Sequence, residues 1–244
     1  MKASISQPQA QAAPNAQADL CERFRATRAL TEALAANLSD ADATLQSMED
    51  ASPAKWHLAH TTWFWETFLL REQVDGYTLF DERWPFLHNS YYEAEGERIA
   101  RFSRGMLSRP ALDEILGYRH HVTTAMEPLL ERPECRNLIE LGIAHEQQHI
   151  ELLLTDIKHG FFQNPLGPAM WSGAASRGEA SKDGWTQHPG GIARIGHQEN
   201  GFAFDNEGPV HRALIEPFAL ANRLVSNSEW DAFIADDGYR TASL

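Results

Sequence analysis

The stretch His145-Glu146-Gln147-Gln148-His149-Ile150-Glu151 decides how the rest of this sequence is interpreted. It lies within residues 137–159, a run without proline that is long enough for a helix of about six turns. Two histidines four positions apart project from nearly the same face of a helix, about 40° apart around its axis. This spacing predicts that both imidazoles can bind one metal ion.

A third ligand has to come from a distant part of the chain, and Trp56-His57-Leu58-Ala59-His60 offers two candidates. His60 precedes Phe64 by one helical turn and lies in a stripe of aromatic residues that we expect to face the interior of a helical bundle. His57 is followed one turn later by Thr61, and we expect it to be more peripheral. A single histidine among aromatic residues is more often a packed core residue than a ligand. Of the two candidates, His60 is nevertheless the better one, because it lies in the stripe that we expect to face the interior.

The predicted metal ligands are therefore His60, His145 and His149. Three neutral imidazoles suit zinc, iron, copper or nickel. They leave open coordination positions, which a catalytic site requires. The pattern alone does not choose among these metals.

Two other interpretations of the histidine pair remain open. The pair also matches the HExxH pattern of zinc proteases, in which Glu146 would be the general base. The extended form of that pattern fails, because Leu152 and Thr155 occupy the required glycine and histidine positions, although a downstream ligand such as Glu179 is not excluded by spacing. Alternatively, the two histidines merely fill a polar stripe on a structural helix.

Composition limits the class of protein. The 21 basic and 34 acidic residues give a net charge of −13, which argues against nucleic-acid and anionic-membrane partners. No apolar run approaches the roughly 18–20 residues of a membrane span. Residues 1–19 are rich in Gln, Ala and Pro without an apolar core, so they indicate a disordered tail and not a secretory signal. Cys21 and Cys135 are too few for a disulfide framework and fit inert thiols of a cytoplasmic protein.

The chain changes character once, which predicts an α+β protein with two domains. Residues 20–163 are helical in pattern, with four helices predicted at 20–45, 53–71, about 110–132 and 137–159. The long connection at residues 81–102 makes a crossover between the second and third helices. Such an arrangement predicts a four-helix bundle whose core can hold a metal.

The second half differs in pattern from the first. Residues 164–183 are rich in Pro, Gly, Ser and Ala and are predicted to form a linker. From residue 184 to residue 244 the apolar runs are short and β-like, at 192–195, 202–204 and 210–214. A capping box at residues 226–229 then opens a short helix. We predict a small mixed α/β unit, which looks incomplete as a domain.

Several segments in the same order resemble the sulfoxide synthase (hercynine oxygenase) family of ergothioneine biosynthesis. In the first half they are residues 52–64 (SPAKWHLAHTTWF), 89–92 (NSYY), 96–98 (GER), 145–152 (HEQQHIEL), 155–156 (TD) and 158–159 (KH). Residues 190–239 resemble the start of that family's second domain, which has the formylglycine-generating (sulfatase-modifying) fold. The resemblance implies a DinB-like metal-binding bundle followed by such a domain.

The resemblance also implies an activity. Members of the family are non-haem iron(II) enzymes that use O2 to join a cysteinyl sulfur to the imidazole of trimethylhistidine (hercynine) as a sulfoxide. The thiol substrate is γ-glutamylcysteine or cysteine. By motif, the iron ligands fall on the three predicted histidines, and Glu151 becomes a partner that orients a ligand imidazole. Arg101 and Arg104 are candidates for holding a substrate carboxylate, because arginine suits bidentate carboxylate binding.

One difference from the family affects the expected activity. The family's second domain runs well beyond the position of Leu244 and supplies a tyrosine that acts as an acid near the iron. Tyr239 lies too early to match that tyrosine, so no catalytic residue is assigned here. The expectation is a chain that binds iron(II) with little synthase activity alone, and a separate chain is a possible source of the missing half.

Two further alternatives stay open. A DinB-like thiol-dependent transferase has a similar three-histidine bundle and uses zinc or nickel. A non-catalytic bundle that stabilises a partner is the second alternative.

Overall fold

A computed structural model describes residues 16–171, 183–197 and 201–243. The chain divides into two compact units, within residues 1–172 and 173–244. Helices in the first unit and two small sheets in the second fit the predicted α+β class. The domain boundaries, the four-helix bundle and the formylglycine-generating fold stay predictions. Residues 1–15 of the predicted disordered tail and 172–182 of the predicted linker lie outside the described residues.

The first unit is helical. Its α-helices are α1 (Ala16–Ala35), α2 (Asp40–Thr44), α3 (Ala54–Trp65), α4 (Arg71–Gln73), α5 (Trp84–His88), α6 (Leu112–Met126) and α7 (Arg136–Gln163). A π-helical turn at Glu66–Leu70 joins α3 to α4. Short 3-10 turns lie at Glu93–Glu95, Arg101–Met106, Glu127–Leu129 and Pro133–Cys135. No helix among the described residues has the length and apolar character needed to cross a membrane.

The first predicted helix, at residues 20–45, is interrupted in the structure. The helix α1 ends at Ala35, and α2 begins at Asp40. Ser39 caps α2, because its hydroxyl accepts the backbone N–H of Asp42 while the Asp42 carboxylate accepts the backbone N–H of Ser39. This reciprocal capping box favours a new helix start over continuation of the old helix.

Helix α3 is the centre of the first unit. All of its residues are buried, and it packs against α1, α2, α5, α6 and α7. Trp63 and Trp65 are fully enclosed, and burial of each such side chain stabilises the fold by roughly 1.5–3 kcal/mol. The Thr62 hydroxyl on α3 is satisfied within the helix, because it donates to the backbone oxygen of Leu58 at 2.7 Å.

Helix α7 approaches α3 at a glycine. A Cβ atom placed on Gly142 would overlap the ring of Trp65 and would lie 2.8 Å from a ring carbon of Phe64. Only glycine therefore permits this separation between the helices. The contact lies one turn before His145 and sets how closely α7 can bring its histidines to α3.

The second unit contains two antiparallel strand pairs and a helix. Its elements are β1 (Trp185–His188), β2 (Gly191–Ile195), β3 (His211–Ile215), β4 (Phe218–Ala221) and α8 (Asn227–Ala235). Strand β1 pairs with β4, and β2 pairs with β3. Short 3-10 turns lie at Asp205–Glu207 and Gly238–Arg240.

Sequence patterns located part of this second unit. Two of the predicted strands match β2 and β3, and Ser226 caps α8 as the capping box predicted. The predicted strand at residues 202–204 is wrong, and β1 and β4 were not predicted. Of the described residues in this unit only Gly238 is buried, while side chains such as Trp185 and Leu214 are exposed.

Candidate metal centre

Three imidazoles meet between α3 and α7. His60 projects from α3, and His145 and His149 project from α7. Each offers one ring nitrogen, and these nitrogens all lie within 4.8 Å of one another. The ring centroids are 4.6–5.0 Å apart. The predicted residues are thus brought together, and His60, not His57, completes the triangle.

Hydrogen bonds determine which nitrogens are available. His60 Nδ1 lies 2.6 Å from the backbone oxygen of His88, which can only accept, so Nδ1 carries the proton and Nε2 keeps its lone pair. His149 Nδ1 is bonded to His57 Nδ1 at 2.9 Å, which leaves Nε2 of His149 available. His145 Nδ1 is buried without a hydrogen-bond partner among the described residues. Nitrogen donors converging in this way fit a divalent transition metal.

Burial keeps the three imidazoles neutral. Desolvation, followed by the neighbouring histidines, holds the pKa of His60 well below its usual value. Desolvation lowers the pKa of His145 to about 4, although Glu146 opposes the shift. Desolvation and the nearby His57 lower the pKa of His149 to about 2. All three rings therefore have a lone pair at neutral pH, as metal binding requires.

Aromatic rings form the walls of the site. Trp56 stacks on the ring of His60, with centroids 4.6 Å apart and planes 9° apart, and Trp63 stacks at 5.5 Å. Phe64 lies against His145 at 4.9 Å. These contacts hold the imidazole planes and exclude water from one side of the triangle.

His57 contacts the Nδ1 side of the His149 ring, and Asp156 in turn contacts His57. The expectation that His57 is peripheral is wrong, since only 2% of it is exposed. Its Nδ1 meets His149, and its Nε2 lies 3.0 Å from Asp156 Oδ2. The sequence offered no signal for this contact, because its partners are far apart in the chain.

Glu151, which was predicted to orient a ligand imidazole, lies on the exposed face of α7. Its backbone oxygen accepts a hydrogen bond from the Thr155 hydroxyl at 2.9 Å. Among the described residues its carboxylate has no hydrogen bond or ion pair. In this structure His57 makes the contact that was assigned to Glu151.

A cleft of about 260 Å³ opens beside the imidazoles. It is lined by the three histidines and by Ser52, Trp56, His57, Ser90, Tyr91, Tyr92, Arg101, Arg104 and Leu152. Both arginines predicted to bind substrate therefore face the same cleft as the imidazoles.

Arg104 is buried in the wall of this cleft. Its guanidinium carbon lies 3.4 Å from the Trp56 ring centroid, and its Nη1 donates to the Ser52 hydroxyl at 2.9 Å. Desolvation, together with the nearby Arg101, lowers the pKa of Arg104 to about 10, so it stays charged at neutral pH. The Nε atoms of both arginines are buried without partners, and neither guanidinium pairs with a carboxylate in the described part of the chain. These charges suit an anionic ligand.

Glu146 is part of the core and does not reach the cleft. Its Oε1 accepts hydrogen bonds from Thr31 at 2.8 Å and Arg119 at 2.9 Å, and its Oε2 accepts from Arg28 and Trp65 at 3.0 Å. Burial alone would raise its pKa, but the charges of Arg28 and Arg119 hold that pKa well below the usual range. A fully bonded carboxylate cannot act as the general base that the protease interpretation requires.

The scaffold and the triangle define a candidate three-histidine metalloprotein of helical type. The family profile of the DinB superfamily matches residues 23–153, more than half of the chain, and the chain belongs to this superfamily. It is also similar to hercynine oxygenase of Mycolicibacterium thermoresistibile, with 28% identity over 206 residues. That match covers 82% of this chain and 45% of the relative, so the chain spans less than half of the relative's length.

Proposed function

We propose that this chain carries the iron(II) centre of a hercynine oxygenase, in which O2 is used to join a cysteinyl sulfur to trimethylhistidine as a sulfoxide. The observation that carries the proposal is the triangle of ligand nitrogens within 4.8 Å of one another. The relative named hercynine oxygenase supports the choice of reaction and thereby the choice of iron. O2, trimethylhistidine and either γ-glutamylcysteine or cysteine are the proposed reaction partners.

The residues of this chain would have separate tasks. His60, His145 and His149 would hold the ion from one side and leave its other positions open. When bound, iron(II) would supply activation of O2 and of the thiol. Arg101 and Arg104 would bind a substrate carboxylate in the cleft, and Trp56 would fix both His60 and Arg104 by stacking.

The test loads the metal-free chain with iron(II) under anaerobic conditions and then adds trimethylhistidine, γ-glutamylcysteine and O2. We expect one iron per chain, loss of that iron in His149→Ala, and sulfoxide detectable by mass spectrometry at a rate that depends on the iron. The matched control is His159→Ala, since His159 lies on the same helix and bonds to Ser47 instead of to a ligand. Absence of iron binding by the unaltered chain would refute the proposal.

The alternative is a DinB-like thiol-dependent transferase that uses zinc or nickel. Membership of the DinB superfamily favours it, and so does the basic cleft, which would equally accept an anionic thiol. Metal analysis of the isolated protein and O2 consumption separate the two functions. Zinc or nickel in the triangle, with thiol transfer that proceeds without O2, would favour the transferase.

A further inference from the structure

A chain of hydrogen bonds leads away from His149 on the side opposite its free nitrogen. His149 Nδ1 lies 2.9 Å from His57 Nδ1, and His57 Nε2 lies 3.0 Å from Asp156 Oδ2. The same carboxylate oxygen accepts the backbone N–H of Ser52 at 2.8 Å, just before α3 begins. His57 is buried, and only 11% of the Asp156 side chain is exposed. The hydrogen bonds from His149 through His57 to Asp156 are therefore shielded from most of the solvent.

The proton positions along these hydrogen bonds can be assigned by starting at Asp156. The carboxylate of Asp156 accepts hydrogen bonds, so the facing nitrogen of His57, Nε2, carries a proton. A neutral imidazole has one proton, which leaves His57 Nδ1 with a lone pair. His149 must then donate its Nδ1 proton to His57. The lone pair of His149 is consequently on Nε2, the nitrogen available to the metal.

We propose that His57 and Asp156 are positioning residues that fix His149 in the tautomer presenting Nε2 to the metal ion. This inference rests on the proposed metal centre. His60 is fixed by the same logic, but its Nδ1–H donates its hydrogen bond to the backbone oxygen of His88. A backbone acceptor cannot be removed by substitution. The two side chains that hold His149, His57 and Asp156, are called the relay here, and they can be altered without changing a metal ligand.

Loss of the relay has a defined consequence. Without the Asp156 acceptor, His57 is free to place its proton on Nδ1, where it would oppose the proton of His149 at 2.9 Å. Two donors at that distance repel, so His149 would move its proton to Nε2 or rotate. A metal ion would then have to displace that proton or reorient the ring. Removal of such outer partners typically weakens metal binding by about 10–100-fold.

The first experiment reads the tautomers directly. The full chain is labelled with ¹⁵N-histidine and stripped of metal, and long-range ¹H–¹⁵N spectra report which ring nitrogen carries each proton. We expect His149 protonated at Nδ1 and His57 protonated at Nε2. A His149 ring protonated at Nε2 in the unaltered chain would overturn the proposal. This readout does not depend on metal binding or activity.

The second experiment measures zinc(II) affinity, with zinc as a probe ion without redox chemistry, by competition with a chromophoric chelator. His57→Leu removes the acceptor, and we expect affinity to fall by about 10–100-fold. His57→Asn places an amide oxygen near the position of Nδ1 and should recover most of that loss. Asp156→Ala and Asp156→Asn form a second pair. We expect Asp156→Ala to lose more zinc affinity than Asp156→Asn, since asparagine retains an acceptor oxygen.

The control is His159→Leu, which removes another imidazole of α7, one bonded to Ser47 at 2.7 Å, and should leave zinc affinity unchanged. Circular dichroism checks that each variant is folded. Equal losses in the Leu and Asn variants of position 57, or no loss in either, would overturn the relay. If the unaltered chain fails to bind zinc or iron, the proposed metal centre fails instead, while the tautomer spectra still test the relay.

Discussion

Replacement of Glu146 by alanine tests whether this residue belongs to the core or to the chemistry. Its carboxylate accepts hydrogen bonds from Arg28, Arg119, Thr31 and Trp65. Both arginines are almost fully buried, at 2% and 0% exposure. The alanine variant would leave two buried guanidinium groups next to each other without their carboxylate. Breaking a buried pair of this kind costs about 3–5 kcal/mol in the free energy of unfolding.

The assay is denaturant unfolding of the metal-free chain, followed by far-ultraviolet circular dichroism, whose signal comes mainly from the helical unit. The matched control is Gln147→Ala, because Gln147 is the next residue of α7 and is exposed. We expect the control to change the unfolding free energy by less than about 0.5 kcal/mol. A loss below about 1 kcal/mol in Glu146→Ala would refute this reasoning, because it would mean that the buried charges are not stabilised by Glu146. A catalytic base would show the opposite behaviour, with stability kept and hydrolysis lost.

Three further predictions follow from the described contacts. Gly142→Ala would normally favour a helix by about 1 kcal/mol, but overlap with Trp65 should reverse the sign and cost about 1–3 kcal/mol in the same unfolding assay. Burial, with the nearby Arg104, lowers the pKa of His88 to about 3. As the pH falls, His88 is therefore protonated in the unfolded chain before it is protonated in the folded chain. Stability of the metal-free chain should therefore fall as pH decreases below about 6.5, and His88→Leu should weaken that dependence. Arg104→Leu should weaken γ-glutamylcysteine binding to the metal-loaded chain by about 10–100-fold in calorimetry, since a charged hydrogen bond contributes about 1.5–3 kcal/mol, and an unchanged affinity would remove Arg104 from the substrate site.

The pairing of His145 and His149 on one helix face could be predicted because it depends on local geometry. Spacing of four residues on a helix places His145 and His149 on one face whatever the rest of the chain does. The choice of His60 over His57 depended on the aromatic stripe around it, and the structure places His60 in the triangle. Hydrophobic periodicity and capping signals located the main helices of the first unit for the same reason.

The partners of the site could not be predicted because they depend on packing between distant segments. Arg28 and Arg119 look like surface residues in sequence, yet both are buried against Glu146. The motif around Glu146 suggested catalysis, since a pattern of residue types does not say which face of a helix meets the core. His57 and Asp156 meet only after α3 and α7 have packed. Strands β1 and β4 have four residues each and none of their side chains is buried, so their sequences carry little alternating pattern.

The three imidazoles come from two helices that are far apart in the sequence, which gives an ion at their centre a mechanical consequence. Such an ion would link α3 to α7 reversibly, because the folded chain would bind it and the unfolded chain would not. At a free metal concentration 100 times the dissociation constant, this linkage would raise the free energy of unfolding by about 2.7 kcal/mol. The thermal resistance of the helical unit would then depend on how much metal its surroundings supply.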